Sequence, residues 1–204
     1  MKITVLGSGH SGGTPMIGEP WETTDLKNPK NLRLRPAILV EDHNTRILVD
    51  TPPDLRSQLI AAQVEHLDAV IYTHGHADHL HGIDDLRAVN RVIKDWLPAY
   101  ADSTTWDDIA TRFGYVLEPL NNDTNFIYKP CLVRHDITVG ETFTIGDLIS
   151  VSWIRITAFR AHLDFVLIIS LIQQMWWKCL RRVLLHLKAS ILGSLAPCGI
   201  GNHT

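Results

Sequence analysis

Ten residues, Thr73-His74-Gly75-His76-Ala77-Asp78-His79-Leu80-His81-Gly82, carry four imidazoles and one carboxylate. A β-branched run, Leu67-Asp68-Ala69-Val70-Ile71-Tyr72, leads into them, and helix-forming sequence, Asp84-Asp85-Leu86-Arg87-Ala88-Val89, follows. The cluster is therefore predicted as a loop at the carboxyl end of a buried strand, where a rigid scaffold can aim several side chains at one point. Alternate residues of an extended loop face the same way, so His74 and His76 can share one ion. Asp78 and His79 come as the chain bends into the helix and can face a second ion. Neutral imidazole and carboxylate are the usual donors for borderline divalent metals. Two such ions about 3.5–4 Å apart can hold a hydroxide nucleophile and polarise a phosphoryl or carbonyl oxygen.

The chain around the loop fits an alternating α/β organisation. Ile3-Thr4-Val5-Leu6 reads as a strand ending in the glycine-rich turn Gly7-Ser8-Gly9-His10-Ser11-Gly12-Gly13. No Gly-Lys-Ser/Thr follows, so this is not a P-loop, and no amphipathic helix follows as a dinucleotide fold would require. His10 reads as a loop histidine rather than a ligand. Residues 18–35 are polar and loop-like, with a local basic run of Lys27, Lys30, Arg33 and Arg35, either a solvated face or an attractor for an anionic substrate. Residues 36–41 and 46–50 flank Asp42-His43-Asn44-Thr45 as a hairpin. Asp50 ends its second strand and is placed to accept a hydrogen bond from the far ring nitrogen of a ligand histidine. Pro52-Pro53-Asp54 opens a helix whose core face is Leu55, Leu59, Ile60 and Val64. A second helix carries Ile83, Leu86, Val89, Val92 and Ile93; a strand over 98–101 and a helix capped by the Asp102 region follow, running to Arg112. Residues 113–131 are loop-rich, and 132–148 return to short strands. This order predicts two mixed sheets sandwiched by helices.

His74-x-His76-x-Asp78-His79 resembles the signature of the metallo-β-lactamase superfamily, and His81-Gly82-Ile83-Asp84-Asp85-Leu86-Arg87 resembles its phosphodiesterase branch, of the phosphoribosyl 1,2-cyclic phosphate phosphodiesterase type. The glycine-rich turn after the first strand is similar to one in that family. The resemblance covers residues 1 to about 150. It implies an αβ/βα sandwich, two divalent metal ions (zinc or manganese), and hydrolysis of a small cyclic phosphate ester. His74 and His76 would hold one ion, Asp78 and His79 the other; Asp78 would also take a proton from the nucleophile, with Asp50 behind the ligands. Some relatives carry a cysteine cluster for structural zinc near residues 18–35; none is present here. Other superfamily reactions, on a lactone, a thioester or a tRNA 3′ end, are the alternative enzymes. A non-catalytic remnant that binds metal weakly is the alternative of a different class.

Composition narrows the partners. Net charge is −3 over 204 residues, which does not argue for a nucleic-acid groove built on bulk charge. Cys131, Cys179 and Cys198 form no C-x-x-C pair, which suits a reducing cytoplasm, and the amino terminus reads as a strand rather than a leader. A homodimer is compatible with this reading.

Residues 151–204 depart from the pattern. Acidic residues vanish after Asp164, and Phe165 to Trp177 is heavily apolar, though shorter than the roughly 20 residues a membrane span needs. Read one frame away, permitted codons for Trp153 to Ala158 give Asp-Gln-Asp-His-Gly, and those for Leu171 to Trp177 give Tyr-Ser-Thr-Asp-Val-Val. The resemblance calls for a third-ligand histidine and then a bridging aspartate at such places. The sequence therefore divides into a metallo-β-lactamase-like part, 1–150, and an aberrant, out-of-frame segment, 151–204. None of His135, His162, His186 and His203 sits in a matching motif, and none is assigned as a ligand.

Overall fold

The computed structural model describes residues 1–18, 24–120, 126–138, 141–146, 149–152, 155–156 and 165–166. Strands β1 (Lys2–Gly7), β2 (Ala37–Asp42), β3 (Thr45–Val49), β4 (Ala69–Ile71), β5 (Leu97–Ala101) and β6 (Leu132–Asp136) form one sheet in sequence order. The first three run antiparallel and the last three join β3 in parallel. The β2–β3 hairpin closes tightly: Asp42 pairs with Thr45, and His43 takes the positive φ of 50° that a two-residue turn demands. Two short pairs follow, β7 (Thr142–Ile145) with β8 (Ile149–Ser152) and β9 (Arg155–Ile156) with β10 (Phe165–Val166), both antiparallel.

Parallel strands need crossovers, and each one here is helical. Helix α1 (Leu55–Ala61) links β3 to β4. Helices α2 (Ala77–Leu80) and α3 (Leu86–Ile93) link β4 to β5. Helix α4 (Ser103–Phe113) and a 3-10 turn over Gly114–Leu117 link β5 to β6. Asp102 caps α4, its Oδ1 accepting from Thr105 N at 2.8 Å. Helices α1 to α4 pack on one face of the sheet. Leu39, Leu48, Val70, Ala99 and Leu132 on that face meet Leu55, Leu80, Leu86 and Trp106 from the helices. Trp106 is fully buried and donates from Nε1 to His135 O at 3.1 Å. The other face carries Val40, Ile47, Val49, Ala69 and Ile71, which pack with Ile137 and Ile145.

A buried amide locks the far edge. Asn90 of α3 donates from Nδ2 to Asp95 O at 2.8 Å and Cys131 O at 2.9 Å, and its Oδ1 accepts from Cys131 N at 3.1 Å. The Cys131 thiol is pushed up from its usual range by burial and stays protonated.

Three sequence expectations are corrected. Ile60, expected in the core, is 61% exposed, because α1 is a two-turn helix whose buried stripe is Leu55, Gln58 and Leu59. Val92, expected inward, is 57% exposed, because the buried stripe of α3 is Leu86, Val89 and Asn90. The prolines at 52 and 53 precede α1 rather than forming its first turn. Apart from β8, β9, β10 and the residues they share, the aberrant segment 151–204, with its apolar run to Trp177, Cys179, Cys198, His162, His186 and His203, lies outside the described residues. Among the described residues no helix is long and apolar enough to cross a membrane.

Candidate metal centre

The parallel strands end on one edge, and the loops that leave β3 and β4 there are hydrogen-bonded to each other. Thr51 N donates to His79 O at 2.7 Å, and Gly82 N donates to Thr51 O at 2.8 Å. Gly82 permits this approach: a Cβ there would lie 2.9 Å from the Pro52 carbonyl carbon and 3.0 Å from Leu55 Cβ. Thr51 Oγ1 donates to Leu80 O at 3.1 Å and lies 3.4 Å from the Tyr72 hydroxyl. Burial pushes the Tyr72 phenol far above its ordinary range, so it remains neutral.

Asp50 follows β3 with φ 65°, a left-handed conformation that aspartate tolerates better than most residues. The kink aims its buried carboxylate at the β4 loop. Oδ1 accepts from Thr73 N at 2.8 Å; Oδ2 accepts from Thr73 Oγ1 at 2.8 Å and lies 2.7 Å from His79 Nδ1. Thr73 Oγ1 also lies 2.9 Å from His74 Nδ1. A carboxylate only accepts, so His79 carries its proton on Nδ1. Thr73 gives its single hydroxyl proton to Asp50 and therefore accepts from Nδ1 of His74. One buried carboxylate thus sets both tautomers, directly for His79 and through Thr73 for His74. The Nε2 side of the His79 ring faces Asp78.

His76 caps the start of α2 in extended conformation, φ −68° and ψ 153°. Its ring centroid is 4.5 Å from that of His74, and the His74 and His79 centroids are 4.2 Å apart. Asp78 Oδ2 lies 3.4 Å from His79 Nε2. His74 is buried, Asp78 and His79 are partly exposed, and His76 faces solvent. The four predicted ligands and Asp50 therefore meet at one place. Their donor types fit a borderline divalent ion. They do not close a shell by themselves: among the described residues no group of three or more His, Cys, Asp or Glu side chains is arranged to hold a metal ion.

Other predicted residues lie elsewhere. His10 Nδ1 accepts from Gly12 N at 3.2 Å within its own turn. Arg35 is drawn out of the basic run by Asp54, with Nη1 3.0 Å from Oδ1, while Lys27 and Lys30 are exposed. His135 stacks on Tyr100 at 4.6 Å in the β5–β6 register, away from the histidine loop in sequence and pairing.

Sequence reasoning missed the layer behind the loop. Arg112 Nη1 donates to Gly75 O at 2.6 Å. The His81 ring meets Phe113 edge to face at 5.4 Å, and the Tyr115 hydroxyl donates to Asp84 Oδ1 at 2.6 Å. Burial, reinforced by that carboxylate, raises the Tyr115 phenol well above its usual range. The i,i+4 pair Asp108 and Arg112 was the one available signal, and it reads equally as an ordinary surface pair.

Comparison with known proteins agrees with this architecture. A family model described as the beta-lactamase superfamily domain matches residues 45–166, more than half of the chain and beyond the change in sequence texture near residue 150. A Porphyromonas gingivalis protein named octanoyltransferase is 34% identical over 152 residues, which are 72% of this chain and 29% of that protein. A crystal structure of a diphosphatase from the PhnP family is 29% identical with a TM-score of 0.64, covering 80% of this chain and 59% of that one. Zn2+-bound PqqB from Methylobacterium extorquens is 23% identical with a TM-score of 0.60, covering 76% of this chain and 55% of that one, a likeness of fold alone. The chain spans less than a third of the first relative and a little over half of the two solved structures. Because the family match runs through the whole histidine loop and the strands that carry it, the chain belongs to the beta-lactamase superfamily.

Proposed function

We propose that this chain carries the first ligand cluster of a metal-dependent hydrolase acting on a small cyclic phosphate ester. The observation that carries the reading is the Asp50 network, which orients His74 and His79 together on the loop that carries Asp78. The 29% identity with the PhnP-family diphosphatase supports a phosphate substrate. His74 and His76 would hold one ion and Asp78 and His79 the other, zinc or manganese by donor type. Such ions, when bound, supply the Lewis acidity that polarises a phosphoryl oxygen and offsets its developing charge.

The chain's own groups do the rest. Asp50 and Thr73 hold the imidazoles in one tautomer and orientation, so no reorganisation is needed when substrate arrives. Asp78, partly open to solvent, is the group placed to take a proton from the attacking water. The net charge of −3 favours a small phosphate ester over a nucleic acid, in a reducing cytoplasm.

Two donors per ion fall short of the three protein ligands usual at catalytic zinc. The reading therefore includes weak metal retention and little turnover for the chain as written, with full activity returning when the reading frame is restored near codon 150. The test is a matched pair, this chain and its frame-restored counterpart, assayed with bis-p-nitrophenyl phosphate and manganese or zinc, with metal counted per chain. Two ions and robust turnover only in the restored chain are expected. Equal turnover by both would overturn the frame argument, and absence of bound metal in both would overturn the metal reading.

A further inference from the structure

We infer that Arg112, with Asp108 and Gly75, forms a latch by which α4 positions the His74–His76 segment, making Arg112 a positioning residue for the metal loop. The inference rests on the metal reading above. Gly75 is the residue between the two ligand histidines, and its peptide carbonyl fixes the direction in which the chain presents His76. Arg112 Nη1 donates to that carbonyl at 2.6 Å from a partly buried position. The same guanidinium is braced one turn back along α4, with Nη2 2.5 Å from Asp108 Oδ1. A planar guanidinium held at both ends offers a directed, charge-assisted hydrogen bond that a lysine would replace only as a point charge.

Gly75 is needed for space rather than for backbone freedom. A Cβ at this position would lie 2.6 Å from both Cβ and Cγ of Asp108. Gly75 is not among the residues with positive φ, so no unusual backbone conformation explains it. Only glycine lets α4 approach closely enough for Arg112 to reach the loop. The contact joins residues 37 apart in sequence.

The test uses the full chain as Arg112→Ala, Arg112→Lys and Gly75→Ala, with circular dichroism melting to verify folding. Hydrogen exchange over residues 73–80 is read without metal, and cobalt(II) affinity is read by its visible absorption. Arg112→Ala is expected to speed exchange in that segment about 10-fold or more while leaving β2 and β3 unchanged. It is expected to weaken cobalt binding about 10-fold, with Arg112→Lys intermediate and Gly75→Ala resembling Arg112→Ala. Unchanged exchange in Arg112→Ala overturns the latch whatever the metal result. Faster exchange with cobalt affinity altered less than about 2-fold overturns its role in positioning ligands. A parent chain that takes up no cobalt overturns the metal reading instead, and the latch is then decided by the exchange rates alone.

Discussion

Asp50 Oδ2 lies 2.7 Å from Nδ1 of His79, and the same oxygen accepts from the hydroxyl of Thr73, which in turn lies 2.9 Å from Nδ1 of His74. Two imidazoles on one loop are thereby oriented by a single carboxylate from the neighbouring strand. The carboxylate reaches them because Asp50 leaves β3 in a left-handed conformation.

Asp50→Asn and Asp50→Ala should separate orientation from stability. Asparagine tolerates the φ of 65° and can still accept from Thr73 N, but its amide cannot accept from both Thr73 Oγ1 and His79. Metal affinity should fall about 10–100-fold with little loss of stability. Alanine adds an unsatisfied buried Thr73 N–H, at about 1–3 kcal/mol, and backbone strain. Metal titration with urea unfolding reads both; equal stability of the two variants would contradict the account.

His76→Ala and Asp78→Ala should each abolish metal retention. On the proposed reading each removes one of the two donors assigned to its ion, and among the described residues no group of three or more His, Cys, Asp or Glu is arranged to make good the loss. Elemental analysis of the purified variants is the check, and metal content equal to the parent's would defeat the assignment.

Gly82→Ala should destabilise the fold by about 1–3 kcal/mol, the range for overpacking a tight contact. The new methyl would press on backbone at Pro52 rather than on a yielding side chain. The Gly82 N to Thr51 O bond would lengthen with it. Thermal denaturation measures the loss, and an unchanged midpoint would mean that the two loops are not held together here.

Glu41 gives a pH-dependent prediction. Its carboxylate is bonded to Lys2 Nζ at 2.7 Å and lies 3.3 Å from Arg46 Nε, and these cations hold its pKa below the ordinary glutamate value. The unfolded chain binds the proton more readily, so stability rises with pH across this window. The contribution is fully present above the unfolded pKa and is lost as pH falls through the folded one. Glu41→Gln should therefore cost up to about 1 kcal/mol near neutrality and nothing once the parent's Glu41 is protonated. Urea unfolding across acid pH reads the convergence.

The sequence alone determined the parts that depend on near neighbours. His74, His76, Asp78 and His79 were legible as a cluster because all four lie within one strand-to-helix connection, where local geometry fixes their meeting. The hairpin at Asp42–Thr45 and the Asp102 cap were legible for the same reason. Asp50 was legible as a strand-end carboxylate placed to accept from the far ring nitrogen of a ligand histidine. That it governs two tautomers came from a positive φ and from Thr73, neither visible in residue types. Ile60 and Val92 were misread because helical periodicity does not say which stripe meets the sheet; the short crossovers between β3, β4 and β5 decided that. Arg112 and Gly75 were out of reach altogether. Their contact depends on how closely α4 packs over the β4 loop, and sequence carries no local signal for a hydrogen bond between residues 37 apart. Local spacing thus determined which groups could bind an ion, and long-range packing determined how they are held.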